Sequence, residues 1–465
     1  MRADDQATAL LTNGLAALRQ QYGVPASFPP EVLAAAEVAA ARPVTTAGGR
    51  RDARDLPMAT LDPASSIDLD QAFAIAAEGD TLVLSYAIAD VGFFVDRGGV
   101  IEAEAWKRGS TVYLPDGRTP QYPPVLCENA ASLLPDVDRP AILLTVLVAP
   151  DGASTLRAAE RAIIRSRAKL AYETATSREY GPLLPELFQR IHDAEDRRGA
   201  SRIDFPEQDV ETDPTAPGGL RLVARQRQAS EDQNSGMSLA ANLAVARRMI
   251  EAHTGLFRTM NDPSEGALGA LHYAARALGI TWKQGTTLRE LSRTLDAKDP
   301  KHVAFLLQAR RAGGGASYSL FEESKLPWHS AIADSYAHAT APLRRLADRY
   351  VLDLVVSLDA GLAPTSAELA TLAALPAAME RADGITHKLD RAAIDLVEAV
   401  TLVDRVGEIF QAVITSVDRG IASIQLTELP VWAKTSHVSG SPGDMVKVKL
   451  VSSDPATRQV RFEPV

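Results

Sequence analysis

The chain has 465 residues, of which 46% are hydrophobic and 23% charged, and its formal net charge is −10. This composition is typical of a globular protein with two or three domains. A single cysteine, Cys127, excludes an internal disulfide framework. The start, MRADDQATALL, has acidic residues where a signal peptide needs basic ones, and no apolar run reaches membrane-spanning length. We therefore expect a cytoplasmic protein without contact to a membrane.

The first 48 residues predict a small helical module, and its two helices are compatible with a helix-turn-helix. Leucines at helical spacing predict a helix over 5–21, and a second helix over 30–41 opens on a proline pair. The glycine-containing stretch 45–51 predicts a linker. A structural cap and a nucleic-acid contact remain equally compatible with this module.

Residues 51–400 predict one α+β domain in which helices pack on a strand core. Strands are expected over 81–88 and over 141–148, and the second is a near-continuous apolar run typical of a strand buried on both faces. Beyond residue 170 the pattern becomes helical. The predicted helices cover 183–198, 237–254, 264–278, 287–295, 302–312, 343–357, 366–383 and 388–398.

In residues 404–465 the sequence pattern changes. Short runs that alternate apolar and polar residues are separated by turns, as in VGEIFQAVITSVDRGIASIQL and GDMVKVKLVSSD. Five such strands within about sixty residues are typical of an OB-fold β-barrel. The sequence thus predicts a third domain at the carboxyl end.

Three carboxylates crowd the segment TLDPASSIDLDQA at 60–72, namely Asp62, Asp68 and Asp70. Asp68 and Asp70 alternate with apolar residues, which predicts that both lie on one face of a strand. Carboxylates this close repel one another unless a cation neutralises them, and oxygen ligands of this kind suit Mg²⁺. The alternative is a turn with solvated acids.

The negative net charge does not exclude a nucleic-acid partner, since binding depends on where the positive groups lie. Basic residues cluster at 157–169, at 344–349 and at Lys434, Lys447 and Lys449. Each cluster is also compatible with a solvated face.

Seven blocks of the sequence, in order, resemble the catalytic (RNB) domain of the ribonuclease II family. They are RDARDLP (51–57), YAIADV (86–91), EAWKRGSTVYLPDGRTPQYPP (104–124), ASLLPDVDRPA (131–141), AKLAYE (168–173), SLAANLAVAR (238–247) and YAHATAPLRRLADRY (336–350). The resemblance implies a processive 3′-to-5′ exoribonuclease of the ribonuclease II type. Such an enzyme uses Mg²⁺, or Mn²⁺ in its place, and degrades single-stranded RNA to nucleoside 5′-monophosphates.

The resemblance also implies roles for the carboxylates. Asp62, Asp68 and Asp70 match the family's metal-binding acids, and Asp70 takes the central position. The family's fourth aspartate is replaced by Gln71. An amide keeps an oxygen but loses the charge, so we expect a weaker hold on a second metal, with Gln71 ordering a water there instead.

Arg344 matches the family's catalytic arginine. We expect Pro342 in a first helical turn, so that Arg344 lies near a helix N-terminus, where phosphate is favoured. A guanidinium can bind two phosphate oxygens at once. The alternative is an Arg344–Asp348 pair along the helix. Arg345 is a predicted phosphate contact.

Four further residues match the family's RNA contacts. Tyr113 corresponds to a tyrosine that stacks near the cleavage position and sets the length of the end product, and Tyr172 to one near the terminal ribose. Phe205 matches an aromatic that wedges against the threaded strand, and Glu231 a ribose 2′-hydroxyl contact. Core packing is the alternative for Phe205, and a solvated surface acid for Glu231.

The carboxyl-terminal segment resembles the S1 RNA-binding domain that closes many family members. Ile421 and Ala422 stand where such domains often place aromatic residues, and Trp432 and His437 are the remaining candidates for stacking. The family's amino-terminal cold-shock barrels have no counterpart in the first 48 residues.

Three functions follow as hypotheses. The first is the exoribonuclease, acting as a monomer and able to digest into structured RNA that carries a 3′ overhang. The second is a catalytically weak or inactive RNA-binding protein of the same fold, suggested by Gln71. The third is a metal-dependent hydrolase of another phosphodiester. The retained acids and Arg344 favour the first, because a protein that only binds RNA has no need of them.

Overall fold

The computed structural model of the chain describes residues 3–200, 207–225, 227–296, 299–418, 420–436 and 438–465. Its helices are α1 (Ala3–Gln21), α2 (Pro30–Ala40), α3 (Val91–Phe94), α4 (Val100–Arg108), α5 (Ser177–Tyr180), α6 (Leu183–Arg198), α7 (Ala229–Glu251), α8 (Glu265–Ala277), α9 (Leu288–Arg293), α10 (Pro300–Ala312), α11 (Leu346–Asp359) and α12 (Ser366–Leu402). Its strands are β1 (Arg51–Asp52), β2 (Ala59–Asp62), β3 (Gln71–Glu78), β4 (Thr81–Ala89), β5 (Val112–Leu114), β6 (Gly117–Thr119), β7 (Asp138–Val148), β8 (Ser154–Arg165), β9 (Ala168–Ala171), β10 (Glu207–Thr212), β11 (Leu220–Arg225), β12 (Leu256–Thr259), β13 (Ser317–Leu320), β14 (Ile409–Asp418), β15 (Ile421–Leu426), β16 (Trp432–Ser436), β17 (Met445–Asp454) and β18 (Gln459–Pro464).

A seven-stranded mixed sheet, in the order β1-β8-β7-β4-β3-β2-β9, is the largest sheet of the described residues. The two outer pairs, β1 with β8 and β2 with β9, are parallel, and the inner pairs are antiparallel. The predicted strand over 141–148 lies in β7, where Leu143 and Leu144 are fully buried. Helices α7 and α11 pack against β8, so apolar side chains cover this strand layer. The expected α+β class is confirmed.

Two differences concern the helices after residue 340. The helix predicted over 343–357 begins only at Leu346, because Arg345 is extended at φ −134° and ψ 125°. The two helices predicted over 366–383 and 388–398 form one helix, α12, of 37 residues with Pro376 inside it. Proline removes one backbone donor, and the buried residues on both sides of it hold the helix together.

Helices α1 and α2 lie on different parts of the molecule. The buried face of α2 (Val32, Ala36) belongs to the core of the seven-stranded sheet. The buried face of α1 (Leu11, Leu15) belongs to a second core, which it shares with α12 and the carboxyl-terminal strands. The two predicted helices are therefore present, but their buried residues form no core of their own.

The carboxyl-terminal strands form a five-stranded antiparallel sheet in the order β16-β15-β14-β17-β18. Register shifts after Ile414 and after Leu450 bend its long strands, as bulges do in small barrels. Phe410 and Phe462 meet edge to face in its interior, with ring centroids 5.8 Å apart. This confirms the expected OB-fold. Among the helices of the described ranges, none is long and apolar enough to cross a membrane.

Candidate active site

The three carboxylates lie where β2 ends and in the loop that follows. Asp62 is the last residue of β2, and β3 begins one residue after Asp70. The prediction that Asp68 and Asp70 share a strand is therefore wrong. The backbone of Leu69 bonds to residues 132–133 instead of to a neighbouring strand, which fixes the loop in an extended course.

Asp70 is the most buried of the three, with 5% of its surface exposed. Its Oδ1 accepts a hydrogen bond from the backbone N–H of Leu343 at 2.7 Å, and the Nε of Arg344 lies 3.4 Å from its Oδ2. Burial raises the pKa of Asp70 to about 8, although Arg344 and the Leu343 N–H act in the opposite direction. The positive groups around Asp70 are thus too few to offset the effect of burial on its pKa.

Asp62 is in a similar position. Its Oδ2 is buried and has no hydrogen-bond partner among the described residues. Burial raises the pKa of Asp62 to about 6; Arg344 lowers it and Asp68 raises it further. An unpaired buried carboxylate oxygen is costly unless a cation approaches it.

Asp68 is held by a hairpin made of β5 and β6. Arg118 binds its Oδ1 at 2.6 Å, and the Tyr113 hydroxyl donates to its Oδ2 at 3.1 Å. Arg118 also binds Glu128 at 3.0 Å. Both oxygens of Asp68 are therefore engaged, and Arg118 is a site residue that the sequence reasoning missed.

The donor set fits a divalent cation only in part. In the described ranges, no three carboxylate, imidazole or thiolate groups converge into a ready-made metal cluster. Asp62 and Asp70 offer two buried carboxylates, one with a free oxygen, that a cation would neutralise. Mg²⁺ is often held by one or two carboxylates, with waters and substrate phosphates completing its shell. Asp68 would join such a shell only by exchanging contacts with Arg118 or Tyr113.

Gln71 faces a polar network on the side of the sheet. Its Nε2 donates to the backbone carbonyl of Thr340, and its Oε1 accepts from the hydroxyls of Tyr86 and Ser238. Both ends of the amide are thus bound to protein. We expected Gln71 to order a water beside the metal, but its hydrogen bonds link β3, α7 and the segment before α11.

The two arginines of the APLRR segment have different surroundings. Arg344 keeps 46% of its side chain exposed beside Asp70, whereas Arg345 forms a two-pronged ion pair with buried Asp348 at 2.8–3.2 Å. The ion pair with Asp348 was the alternative role for Arg344, and Arg345 forms this pair instead. Because α11 begins at Leu346, the expectation that Pro342 lies in a first helical turn is wrong, whereas Arg344, two residues before α11, does lie near a helix N-terminus. Its placement instead follows from the bond of the Leu343 N–H to Asp70.

Tyr172 stands next to the carboxylates. Its backbone N–H donates to the carbonyl of Asp62 at 3.0 Å, and its hydroxyl accepts from Asn234 at 2.7 Å. Burial, followed by the charge of Asp62, raises the pKa of Tyr172 to about 12. Glu231 is 8% exposed and pairs with Arg225, so it is not a solvated surface acid.

The remaining aromatic candidates are only partly described. Phe205 and His437 lie outside the described residues. In the barrel, Ile421 is 49% exposed and Ala422 is buried. The indole Nε1 of Trp432 is buried and has no hydrogen-bond partner among the described residues.

A cavity of about 890 Å³ lies between the β5–β6 hairpin and the barrel. Its walls come from the β5–β6 hairpin, the β10–β11 hairpin, α10, α12 and the barrel, and they include Tyr113, Arg225, Arg227, Arg391 and Trp432. Aromatic faces and guanidinium groups together are the lining used for single-stranded nucleic acids. Tyr113 thus borders both the carboxylates and the cavity.

Two family models match the chain. The RNB domain model matches residues 50–358, and the model of the RNase II-type exonuclease C-terminal S1 domain matches residues 408–465. Both matches agree with the resemblance drawn from the motifs.

Several curated relatives are bacterial ribonucleases R. The protein from Chlamydia trachomatis is 27% identical over 354 residues, covering 72% of this chain and 50% of the relative. The protein from Escherichia coli K12 is 25% identical over 439 residues, covering 88% of this chain and 54% of the relative. The chain therefore spans about half the length of these relatives.

Among solved structures, Mycoplasma genitalium RNase R in complex with ribose-methylated single-stranded RNA superposes with a TM-score of 0.85 at 20% identity, covering 97% of this chain and 77% of that one. Yeast Ssd1, a pseudonuclease, superposes with a TM-score of 0.69 at 17% identity, covering 90% of this chain and 53% of that one. At these identities the likeness concerns the fold, which active and inactive proteins share.

Proposed function

Since this chain belongs to the RNB family and carries an RNase II-type C-terminal S1 domain, we propose that it is a hydrolytic exoribonuclease. It would degrade single-stranded RNA processively, from 3′ to 5′, to nucleoside 5′-monophosphates. The observation that carries the proposal is the pair formed by buried Asp70 and half-buried Asp62, whose Oδ2 is covered, beside the half-exposed guanidinium of Arg344. A protein that only binds RNA gains nothing from such buried, undercompensated acids.

In this proposal Asp62 and Asp70 hold the divalent cation, which we take to be Mg²⁺, with Mn²⁺ as a substitute. Asp68 joins them when RNA displaces its present contacts. The cation would neutralise phosphate charge and make a water molecule more acidic. The absence of a charge at Gln71 favours one firmly held cation over two.

Side chains of the protein contact the scissile phosphate and position the nucleotides. Arg344 contacts the scissile phosphate, since its guanidinium is exposed, permanently charged and adjacent to Asp70. Charge that grows on the phosphate oxygens is stabilised there without reorganisation. Tyr113 and Tyr172 position the terminal nucleotides, Glu231 a ribose hydroxyl, and Phe205 the strand farther along. For Arg345 the ion pair with Asp348 favours a role in holding the segment around Arg344.

We propose that the predicted domains have different roles. Residues 51–400 carry the chemistry, and residues 404–465 hold the RNA before it passes the cavity lined by Tyr113 and Trp432. We also propose that a duplex bearing a 3′ overhang is digested at least partly. A hairpin with a graded series of overhangs tests this point: cleavage that always stops many nucleotides before the duplex contradicts it.

A second candidate is an RNA-binding protein of the same fold with little or no activity. It is favoured by Gln71, whose amide is fully hydrogen-bonded to protein, and by Asp68, which Arg118 and Tyr113 occupy. The two candidate functions predict different fates for an RNA incubated with the protein and Mg²⁺.

The deciding experiment uses one RNA oligonucleotide of about twenty adenosines, labelled at either end, with Mg²⁺ or with EDTA. The exoribonuclease converts the 3′ label directly to a mononucleotide and leaves a short 5′-labelled limit product, in Mg²⁺ only. An intact RNA under both conditions, together with a normal filter-binding constant, supports the binding protein. Fragments that keep the 3′ label and are longer than a mononucleotide contradict 3′-to-5′ exonucleolysis.

A further inference from the structure

The β5–β6 hairpin connects the helix α1 with the candidate active site. At the tip of the hairpin, Asp116 accepts two hydrogen bonds from the guanidinium of Arg19 in the last turn of α1, at 2.6 and 2.8 Å. The pair lies at the surface, with 21% of the Arg19 side chain and 35% of the Asp116 side chain exposed. The pair therefore has the two-pronged geometry that makes an arginine–carboxylate contact specific.

The other end of the hairpin is joined to the segment that carries Arg344. The N–H of Thr111 donates to the carbonyl of Arg344 at 3.0 Å, and the N–H of Leu346 donates to the carbonyl of Gly109 at the same distance. These bonds place the start of the hairpin and the backbone of Arg344 in one hydrogen-bonded unit. A shift of the hairpin would therefore also move the backbone of Arg344.

Between tip and base, the hairpin touches the carboxylates. Tyr113 and Arg118 bind the two oxygens of Asp68, at 3.1 and 2.6 Å. The hairpin thus connects Arg19, which binds Asp116 at the tip, with Asp68, which Tyr113 and Arg118 bind.

Helix α1 is itself firmly seated. Gly14 lies so close to α12 that an added Cβ would come within 2.6 Å of Leu396. Leu11 and Leu15 share a core with Val112 of the hairpin. At the end of α1, Gln21 accepts a hydrogen bond from Arg458 of the barrel at 3.2 Å. The helix has the contacts of a rigid support that spans the barrel and the hairpin.

We infer that α1 braces the β5–β6 hairpin through Arg19 and Asp116, and that this brace positions Tyr113 and Arg118 at Asp68. Arg19 is a positioning residue that touches neither the carboxylates nor the substrate. The consequence for cleavage rests on the proposed function, whereas the brace itself does not. In an RNB protein without cold-shock barrels in this segment, α1 gives the first residues a defined task.

The test uses the full chain with the variants R19E, D116R and the charge swap R19E/D116R. Arg157→Glu is the matched control, because Arg157 forms an equally two-pronged pair with Glu78 on the far strands, at 2.9 and 2.6 Å. Hydrogen exchange of the peptide 109–119 is measured without RNA or metal. A surface pair of this kind predicts exchange about threefold to tenfold faster in either single variant. The charge swap should return within about twofold of wild type, and R157E should leave this peptide unchanged.

Cleavage of a 5′-labelled RNA is measured on the same preparations. Each single variant should give a limit product at least one nucleotide longer, or a lower kcat with KM nearly unchanged, and the charge swap should restore both. Unchanged exchange at 109–119 in R19E overturns the brace, whether or not the protein cleaves RNA. Faster exchange with unaltered products and rate constants overturns the positioning role. No cleavage by wild type would contradict only the proposed function, and the exchange result would then decide the brace alone.

Discussion

The side-chain amide of Gln71 donates a hydrogen bond to the backbone carbonyl of Thr340, four residues before Arg344. A carboxylate at this position has no proton to donate, so the bond depends on the amide. The same amide accepts from the Tyr86 hydroxyl, which is also within 2.9 Å of Ser238. Gln71 thus supports the segment that carries Arg344.

Gln71→Glu should therefore destabilise the metal-free protein. At pH 8 the substitution leaves the Thr340 carbonyl without its donor and adds a half-buried charge, which costs about 1–3 kcal/mol of the free energy of unfolding. Chemical denaturation measures this loss. The substitution Gln284→Glu, at an exposed position in a loop, is the control for the added charge alone. A Q71E protein as stable as wild type would show that the hydrogen bond from the Gln71 amide to Thr340 does not contribute to stability.

Tyr113→Ala should lengthen the limit product by a few nucleotides without stopping cleavage. Loss of a stacking platform weakens the hold on the last bases by about 1–3 kcal/mol per base. High-resolution gels of 5′-labelled products measure the length. Tyr113→Phe keeps the ring and removes only the hydrogen bond to Asp68, so its product should match wild type. A wild-type product length in Y113A would remove Tyr113 from the RNA path.

The metal-free protein should lose stability as pH rises from about 4 to about 8. In the unfolded chain, aspartates release their protons near pH 4, whereas burial raises the pKa of Asp70 to about 8 and of Asp62 to about 6 in the fold. Over this window the folded state binds more protons than the unfolded state, so the free energy of unfolding falls with rising pH. Each pKa unit corresponds to about 1.4 kcal/mol.

Mg²⁺ should reverse this trend, because a cation binds the deprotonated carboxylates and stabilises only the folded state. Its effect on the melting temperature should be larger at pH 8 than at pH 6. Asp70→Asn removes the titrating group and should flatten the pH dependence in the absence of metal. A Mg²⁺ effect that is equal at both pH values would place the cation elsewhere.

Much of the fold and site could be predicted from the sequence where the signal is local. The alternating runs after residue 404 predicted the barrel, and the spacing of Asp62, Asp68 and Asp70 predicted that the three carboxylates lie close together. The strand predicted over Asp68 and Asp70 is a loop. Arg118 was missed because its bond to Asp68 joins residues 50 positions apart, and no local pattern reports such a contact. Its only signal was its place in the block 104–124.

Two local predictions failed because tertiary contacts outweighed local preference. The start of α11 was predicted too early, since a proline usually opens a helix, whereas the Leu343 N–H bonds to Asp70 and Arg345 is extended. The break predicted between 383 and 388 was absent, since burial of Leu389 and Ala382 keeps α12 continuous. Helical propensity is a weak guide where packing decides.

The central claim is that Asp70 serves the chemistry and not the binding of RNA. Single-turnover cleavage and filter binding of the same RNA, measured on one preparation of Asp70→Asn, test it most directly, with exposed Asp80→Asn as the matched control. The account predicts that D70N cleaves at least about a thousandfold more slowly than wild type, as expected for loss of a charge at the metal. Its affinity for RNA should stay within about threefold, because phosphate and stacking contacts elsewhere supply binding. Cleavage by D70N within tenfold of wild type would contradict the account.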